Sequence, residues 1–463
     1  MKIFLRQMNI LHLLFIILLT SHFLTLNASN LDKPEHRETD QIAFIHTNII
    51  TGDGQTILYD QTIKIDQGKI SAIGSFADVS IERQYQIYDM TGKTMIPGIV
   101  GVHNHLHVAG RQADARLIAK FYFAFGVTTI QTCGARDGNQ EVSLAKMANS
   151  HSVPMPYILA SAPYISGPSG NPNMQPEITP KQAREFVREW VEKGVQWFKV
   201  YRHIKPNVLN AITDEAHQHN AYVTGHLCSI TYQEALAAKL DGFQHGWNSV
   251  SDFRDGKTVG QCNGLRTYID ELAIDHQSVK DLQDLMIKQS AFLTSTLSIY
   301  EASISHRKPI ADQWLPYFHS TLIDSYNKQR ASFDQIDSKR EARFGRIKAF
   351  DRQFFQRGGL LGSGVDAGRF NLPGAGDLRN FELLIEAGFS VPEAIQVLTA
   401  NGAKILNLSK RGQIKVGSEA DLVVINGSLE KDPSLIYQQQ WVIKRGRIFE
   451  TQELRKNLLG KYH

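Results

Sequence analysis

The sequence predicts an α/β fold: a (β/α)8 TIM barrel inserted into a small β-sandwich domain formed by both ends of the chain. Three observations carry this. Short apolar runs recur from residue 97 to 408 with helix-like stretches between them, the signature of a parallel sheet with crossover helices. Strand-and-turn patterns lie before and after that region, and neither half is long enough to close on itself. The length, 463 residues, exceeds one ordinary domain and suits a barrel with a satellite.

Residues 1–28 read as a secretory signal peptide. Lys2 and Arg6 form the charged start, Leu13-Leu-Phe-Ile-Ile-Leu-Leu19 the apolar core, and Leu26-Asn-Ala28 the cleavage site. A membrane helix wants about 20 apolar residues, so the alternative, an uncleaved N-terminal anchor, is disfavoured. The protein is expected to be exported, periplasmic or extracellular, and to touch a membrane only through this segment if it stays uncleaved. Loss of Lys2 and Arg6 takes the formal charge from +4 to +2, a balance that excludes nucleic acid as the expected partner. A hydrophobic content of 42% with 21% charged residues describes a soluble, enzyme-like chain. Cys133, Cys228 and Cys262 cannot all pair and form no CxxC motif. Packing is their expected role, with one bridge left open.

The N-terminal part of the sandwich is assigned to residues 29–93. It begins with a polar segment and continues as strands at 42–50 and 62–66, a Gln67-Gly68 turn, and a strand at 69–73. Its complement, 409–463, holds the strand-like stretches 412–425 and 441–449. Between them, 94–408 is the barrel. Its strands are expected at 99–105, 127–132, 157–162, 196–201, 222–227, 242–245, 291–297 and 359–365. Helices are expected at 180–193 and 232–240, and at 392–406 after the eighth strand. The long charged connection 303–357 would lie over the mouth and cap the site.

Catalytic groups of a barrel belong at the carboxyl ends of its strands. His103 and His105 end the first, in Met95-Ile-Pro-Gly-Ile-Val-Gly-Val-His-Asn-His-Leu-His107, and alternation along a strand points both the same way. Lys199 ends the fourth in Trp197-Phe-Lys-Val-Tyr201, His226 the fifth, His245 the sixth and Asp366 the eighth. Each alone is weak; in order and at strand ends they form a strong signal.

This series resembles the amidohydrolase superfamily in its binuclear, metal-dependent form. Phe198-Lys-Val-Tyr201 with Thr224-Gly-His-Leu-Cys228 looks most like its imidazolonepropionase-like and prolidase-like branch, and Ala420-Asp-Leu-Val-Val-Ile425 resembles its return strand. The resemblance implies two divalent metal ions. His103, His105 and Asp366 would hold the more buried one and His226 and His245 the other, with Lys199 bridging them as N6-carboxylysine. Zinc is the expected metal from the nitrogen-rich ligands, although manganese or cobalt suits the same set. Physical reasoning supports carboxylation, because a bare ammonium facing neutral imidazoles and metals would be repelled and costly to desolvate. Two metals would share a hydroxide as nucleophile. Asp366 would take its proton and pass it to the leaving nitrogen, and Tyr201 is open between oxyanion donor and packing residue.

His107 is expected as a substrate contact or rim residue, and Arg202 and Arg369 as partners for a substrate carboxylate. One departure stands out. The superfamily's first strand usually carries an aspartate two residues before its first histidine, and here that position is Gly101, which leaves the orientation of His103 to another residue. The function expected is hydrolysis of a C–N amide bond in a small peptide or N-acyl amino acid. Ring opening of a cyclic amide or lactone, a mononuclear deaminase, and a non-catalytic binding or assembly relative are the alternatives. By resemblance such barrels associate as homo-oligomers.

Overall fold

Two hairpins, one from each end of the chain, meet glycine to glycine. In this computed structural model, which describes residues 41–107, 114–150, 153–167, 174, 178–304, 306–333, 339–368 and 371–463, all of them belong to one compact unit, Asp40–His463. The segment expected to be a signal peptide and Arg369 lie outside the described residues. The N-terminal strands are β1 (Gln41–Ile50), β2 (Ile57–Asp66), β3 (Lys69–Ser75), β4 (Gln86–Asp89) and β5 (Lys93–Pro97). The C-terminal ones are β14 (Leu422–Asn426), β15 (Gln439–Lys444) and β16 (Arg447–Glu450). They make one sheet in the order β16-β15-β14-β5-β1-β2-β3, with β4 beside β1. The two ends of the chain therefore share a sheet, as expected.

Gln67 and Gly68 turn β2 into β3 with φ of 48° and 74°, and Arg445 and Gly446 turn β15 into β16 with φ of 50° and 80°. Two consecutive positive φ values match the right-handed twist of the flanking strands. A Cβ on Gly446 would lie 2.9 Å from Ile65 and 3.4 Å from the Cα of Gly68, so the contact leaves no room for a side chain. Phe44, Ile63, Met95, Leu422, Val424 and Trp441 from both halves form a core separate from that of the rest of the chain.

The remaining strands are parallel: β6 (Ile99–Asn104), β7 (Val127–Thr132), β8 (Tyr157–Leu159), β9 (Trp197–Val200), β10 (Tyr222–Gly225), β11 (Gly242–Gln244), β12 (Phe292–Ser295) and β13 (Leu361–Ser363). All eight expected strands are present and in order. They form ladders of three, β6-β7-β8, and of five, β9 to β13. Beyond β8 the chain touches β9 through single bridges, Ser161 to Trp197 and Ile165 to Val200. β13 reaches β6 through Asp366, whose N–H donates to the His103 carbonyl at 2.9 Å. The result is an α/β fold with parallel sheets. Most strands are shorter than expected because the backbone leaves the ladder where the polar side chains begin: His245 and Asp366 have φ of 73° and 48°. Such values are costly for side-chain-bearing residues and concentrate at functional sites.

Helix Pro180–Glu192 starts at a capping box of Thr179 and Gln182, and Tyr232–Ala237 at one of Thr231 and Glu234. The single helix expected at 392–406 is instead two, Val391–Leu398 and Ala400–Ile405, separated at Thr399 with φ −128° and ψ −82°. The second packs so closely on β6 that a Cβ on Gly402 would sit 2.4 Å from the Val100 carbonyl oxygen. The 303–357 connection contains helices Ser320–Phe333 and Lys339–Gln356, and the second contributes Arg340, Arg343, Phe344 and Ile347 to the wall of the main cavity. Among the described residues no helix is long and apolar enough to cross a membrane.

Asp351 anchors that second helix to β12. It is buried, accepts from the Ser295 hydroxyl at 2.6 Å, and has no partner at its other oxygen. Burial pushes its carboxyl up to about 7 from 3.8. The folded state therefore binds a proton that the unfolded state has released between these values, and stability falls as pH rises through that window. Urea unfolding of wild type should weaken from pH 4 to 7 by up to about 1.4 kcal/mol per pH unit from this group, and Asp351→Asn should remove that component. An unchanged pH profile in the variant would contradict the assignment.

Candidate metal centre

Strand geometry places the histidines before any ion is considered. His103 and His105 alternate at the end of β6 with an apolar residue, Val102, ahead of them, and both are buried. Asp366 follows β13 and turns its carboxylate toward them. Its Oδ1 is 3.1 Å from His105 Nε2 and 3.4 Å from His103 Nε2, and its Oδ2 is 3.9 Å from His245 Nδ1. One donor atom from each of His103, His105 and Asp366 lies within 4.8 Å of the others, close enough to hold a metal ion.

The second cluster adjoins the first. The His226 and His245 rings are 4.4 Å apart between centroids, and His245 is 4.7 Å from His103. Tyr201 stands against His226 at 4.9 Å, and Thr296 meets His245 Nδ1 at 2.9 Å. Lys199 is 1% exposed, and its Nζ donates to Cys133 Sγ at 3.2 Å. All six expected ligands and Tyr201 thus line one cavity of about 630 Å³.

Burial sets the electrostatics. It disfavours the charged form of each imidazole, taking His105 down to about 3 and His226 and His245 well below their ordinary value. His103 goes the other way: burial lowers it, but the charges of Cys133 and Asp366 outweigh burial and carry it up to about 9. Asp366 is held well below the usual carboxylate range by His103 and His105 despite its burial. Burial also lowers Lys199. Three imidazoles held neutral and one ionised carboxylate are the protonation states that a divalent cation requires, and His103 would release its proton on binding one; with the donor atoms of His103, His105 and Asp366 already grouped, the set fits a metal.

Gly101 resolves what its departure from the usual pattern left open. A Cβ there would lie 2.1 Å from the side-chain oxygen of Asn104, so the Asn104 amide already fills the space an aspartate would need. Asn104 donates to Asp377 at 3.3 Å, tying β6 to helix Ala375–Glu386. The orienting group for His103 is Gln244, whose Oε1 is 2.5 Å from His103 Nδ1. Gln244 donates in turn to Thr224 at 2.6 Å, and Thr224 to the Gly242 carbonyl at 3.0 Å.

The other expected contacts are placed less uniformly. His107 lines the cavity, half-buried, 3.3 Å from the Tyr164 hydroxyl and 3.8 Å from Glu141. Arg202 is exposed at the rim, 3.7 Å from Cys262 Sγ. Packing, the role expected of the cysteines, is not theirs: Cys228 and Cys262 form a disulfide, and Cys133 is free, buried and the acceptor for Lys199. Reading the strand ends missed Cys133 after β7, Tyr164 after β8 and Gln244 on β11. The first two obey the same strand-end rule as the histidines; the third shows itself as an amide next to Phe243 in a fully buried strand.

Gln244→Leu should lower the affinity of the His103 site for zinc about 10–100-fold, by removing the acceptor that fixes the imidazole. Competition against a chromogenic chelator measures this, and unaltered affinity would reject the role.

Comparison with known proteins agrees with this geometry. Residues 94–449 match the profile of the amidohydrolase family. An imidazolonepropionase from Clostridium tetani (strain Massachusetts / E88) is 22% identical over 393 residues, covering 80% of this chain and 85% of that protein. Among solved structures, a putative prolidase from Bifidobacterium longum superposes with a TM-score of 0.68 at 25% identity, covering 91% of this chain and 99% of its own. A Xaa-Pro dipeptidase with methionine bound in its active site has the same fold, with a TM-score of 0.66 at 20% identity over 89% of this chain and all of its own. The chain belongs to the amidohydrolase family and is a hydrolase of carbon–nitrogen bonds.

Proposed function

We propose that this protein is an exported, binuclear metal-dependent amidohydrolase that cleaves a linear amide in a small peptide or N-acyl amino acid. The observation that carries the reading is Lys199. A fully buried amine whose hydrogen-bond partner is a thiol, in contact range of imidazoles that its positive charge disfavours, is poorly placed as an ammonium. Its lowered proton affinity favours the free base, which adds carbon dioxide to give a carbamate and one released proton. As N6-carboxylysine it would offer oxygens to both clusters, His103, His105 and Asp366 on one side and His226 and His245 on the other.

Divalent ions there, zinc by preference, would activate water and polarise the scissile carbonyl. The chain's own residues do the rest. Asp366 accepts the proton of the attacking water on its carboxylate and delivers it to the departing nitrogen. Tyr201 donates to the developing oxyanion, and His107 and Arg202 contact the substrate. The helical connection over the cavity excludes water. We assign the eight parallel strands β6 to β13 to a closed barrel, and the sheet shared by β1–β5 and β14–β16 to a sandwich domain over its own core; β5 moves residues 94–97 from the barrel expected at 94–408 to that domain. The signal-like segment 1–28 supports export, which in turn supports substrates taken from outside the cytoplasm. The prolidase-like neighbours support linear amides. The imidazolonepropionase relative supports a second reading, ring opening of a cyclic amide.

Zinc-loaded mature protein, incubated with dipeptides, N-acyl amino acids, cyclic amides, lactones and aminated bases, should split linear amides into acid and amine by mass spectrometry. Addition of water without fragmentation would move the reading to ring opening, and loss of an amine in exchange for oxygen would make it a deaminase. Lys199→Met should bind fewer than two metals per chain and lose about 10²-fold or more in kcat/KM. Full activity in that variant would remove the carbamate from the account.

A further inference from the structure

The cavity over the metal centre is strongly basic on one wall. Among the described residues six arginines line it against a single carboxylate, Asp366, which the centre itself uses. Arg343 is neutralised by a two-point pair with Asp270, both contacts 2.6 Å. Arg202, Arg254 and Arg266 are not: among the described residues none has a carboxylate within ion-pair distance. Arg254 donates to the Asn263 carbonyl at 3.2 Å, and its buried Nε has no acceptor. Arg266 donates to Asn248, at 2.9 Å to the side-chain oxygen. Among the described residues Arg202 meets the Cys262 sulfur, at 3.7 Å.

These three are connected to the centre. Asn248, held by Arg266, donates to the Tyr300 hydroxyl at 3.0 Å, and the Tyr300 ring is 6.1 Å from that of His245. Arg202, Arg254 and Arg266 line the same cavity as His226, and the charges of Arg202 and Arg266 both depress Arg254 on top of its burial. The disulfide from Cys228, two residues past His226, to Cys262 ties the segment carrying Arg254 and Arg266 to the end of β10. Three guanidiniums held together without counter-charge repel one another, and a fixed site of that kind is relieved by an anion with planar carboxylates. Ile299, Ile304, Phe344 and Ile347 give the same cavity an apolar share of its lining.

We propose that Arg202, Arg254 and Arg266 form a subsite for a dicarboxylic amino acid, so that the substrates are amides joining an apolar acyl group to aspartate or glutamate. The proposal rests on the amide-hydrolase reading for its chemistry and on the arginine wall for its selectivity. The isosteric pair Leu-Glu and Leu-Gln separates the two. Wild-type enzyme should prefer Leu-Glu by about tenfold or more in kcat/KM, because the glutamine amide cannot accept the charge-assisted hydrogen bonds that a carboxylate takes from guanidinium groups. The preference should shrink with added salt. In Arg254→Gln and in Arg202→Met, the latter an exposed position that tolerates change, the ratio should fall toward unity.

A second readout does not need turnover. Calorimetry should detect binding of glutarate to the zinc-loaded wild type, and much weaker binding of glutarate to the variants and of glutaramide to the wild type. Hydrolysis of both dipeptides at equal rates would overturn the subsite and leave the amide-hydrolase reading standing. Selective glutarate binding without hydrolysis of any amide would support the subsite and overturn that reading. Equal binding of glutarate and glutaramide would overturn the subsite whatever the activity.

Discussion

Asp366 ties the parallel strands together twice, once through its backbone and once through its side chain. Its N–H holds the carbonyl of His103, and its carboxylate faces three imidazoles, two from β6 and one from the end of β11. A carboxylate with only 25% of its side chain exposed stays ionised because positive or hydrogen-bond-donating groups surround it. The register of β13 against β6 is therefore also the geometry of the ligand set. Gly364 shows how tight that register is, since a Cβ there would lie 2.4 Å from the His103 nitrogen. No side chain fits between the two strands at the point where the ligands converge.

Around that point the molecule separates charge by depth. Burial keeps His105, His226 and His245 neutral and presses the lysine amine toward its free base, while Asp366 stays ionised and the neighbouring His103 and Lys199 lower the Cys133 thiol against its burial. Further out the balance reverses into the arginine wall. The rings of Tyr201, Tyr164 and His107 pack on one another in the same cavity as these guanidiniums and the donor atoms.

Much of this was legible in the residues. The eight parallel strands, and the gathering of the six candidate ligands in one cavity, follow from one rule, polar side chains at the ends of apolar runs, because a strand's period fixes which side chains share a face. The meeting of the two chain ends was legible too, since each half lacked partners for its strands. What escaped was context that depends on tertiary approach. Gln244 acts through His103, which lies 141 residues away in sequence, and nothing local marks it as more than a buried amide. Asn104 occupies the space that Gly101 leaves, a replacement of one side chain by its neighbour that spacing cannot reveal. The break at Thr399 answers to the approach of Gly402 to β6, not to helix propensity, which favoured a continuous helix.

The sheet shared by both ends has a consequence for how the chain is assembled. β5 pairs with β1 on one side and with β14 on the other, and roughly three hundred residues of parallel-strand architecture separate β5 from that second partner. While the chain is being made, β5 waits as an open edge with Met95 and Ile96 unprotected, the kind of edge that recruits foreign strands. Its continuation, β6, carries the first two histidines. The last stretch to be synthesised, from β14 to β16, thus covers the edge next to the first ligands made, and truncation near the carboxyl end would expose an aggregation-prone strand at the root of the metal centre.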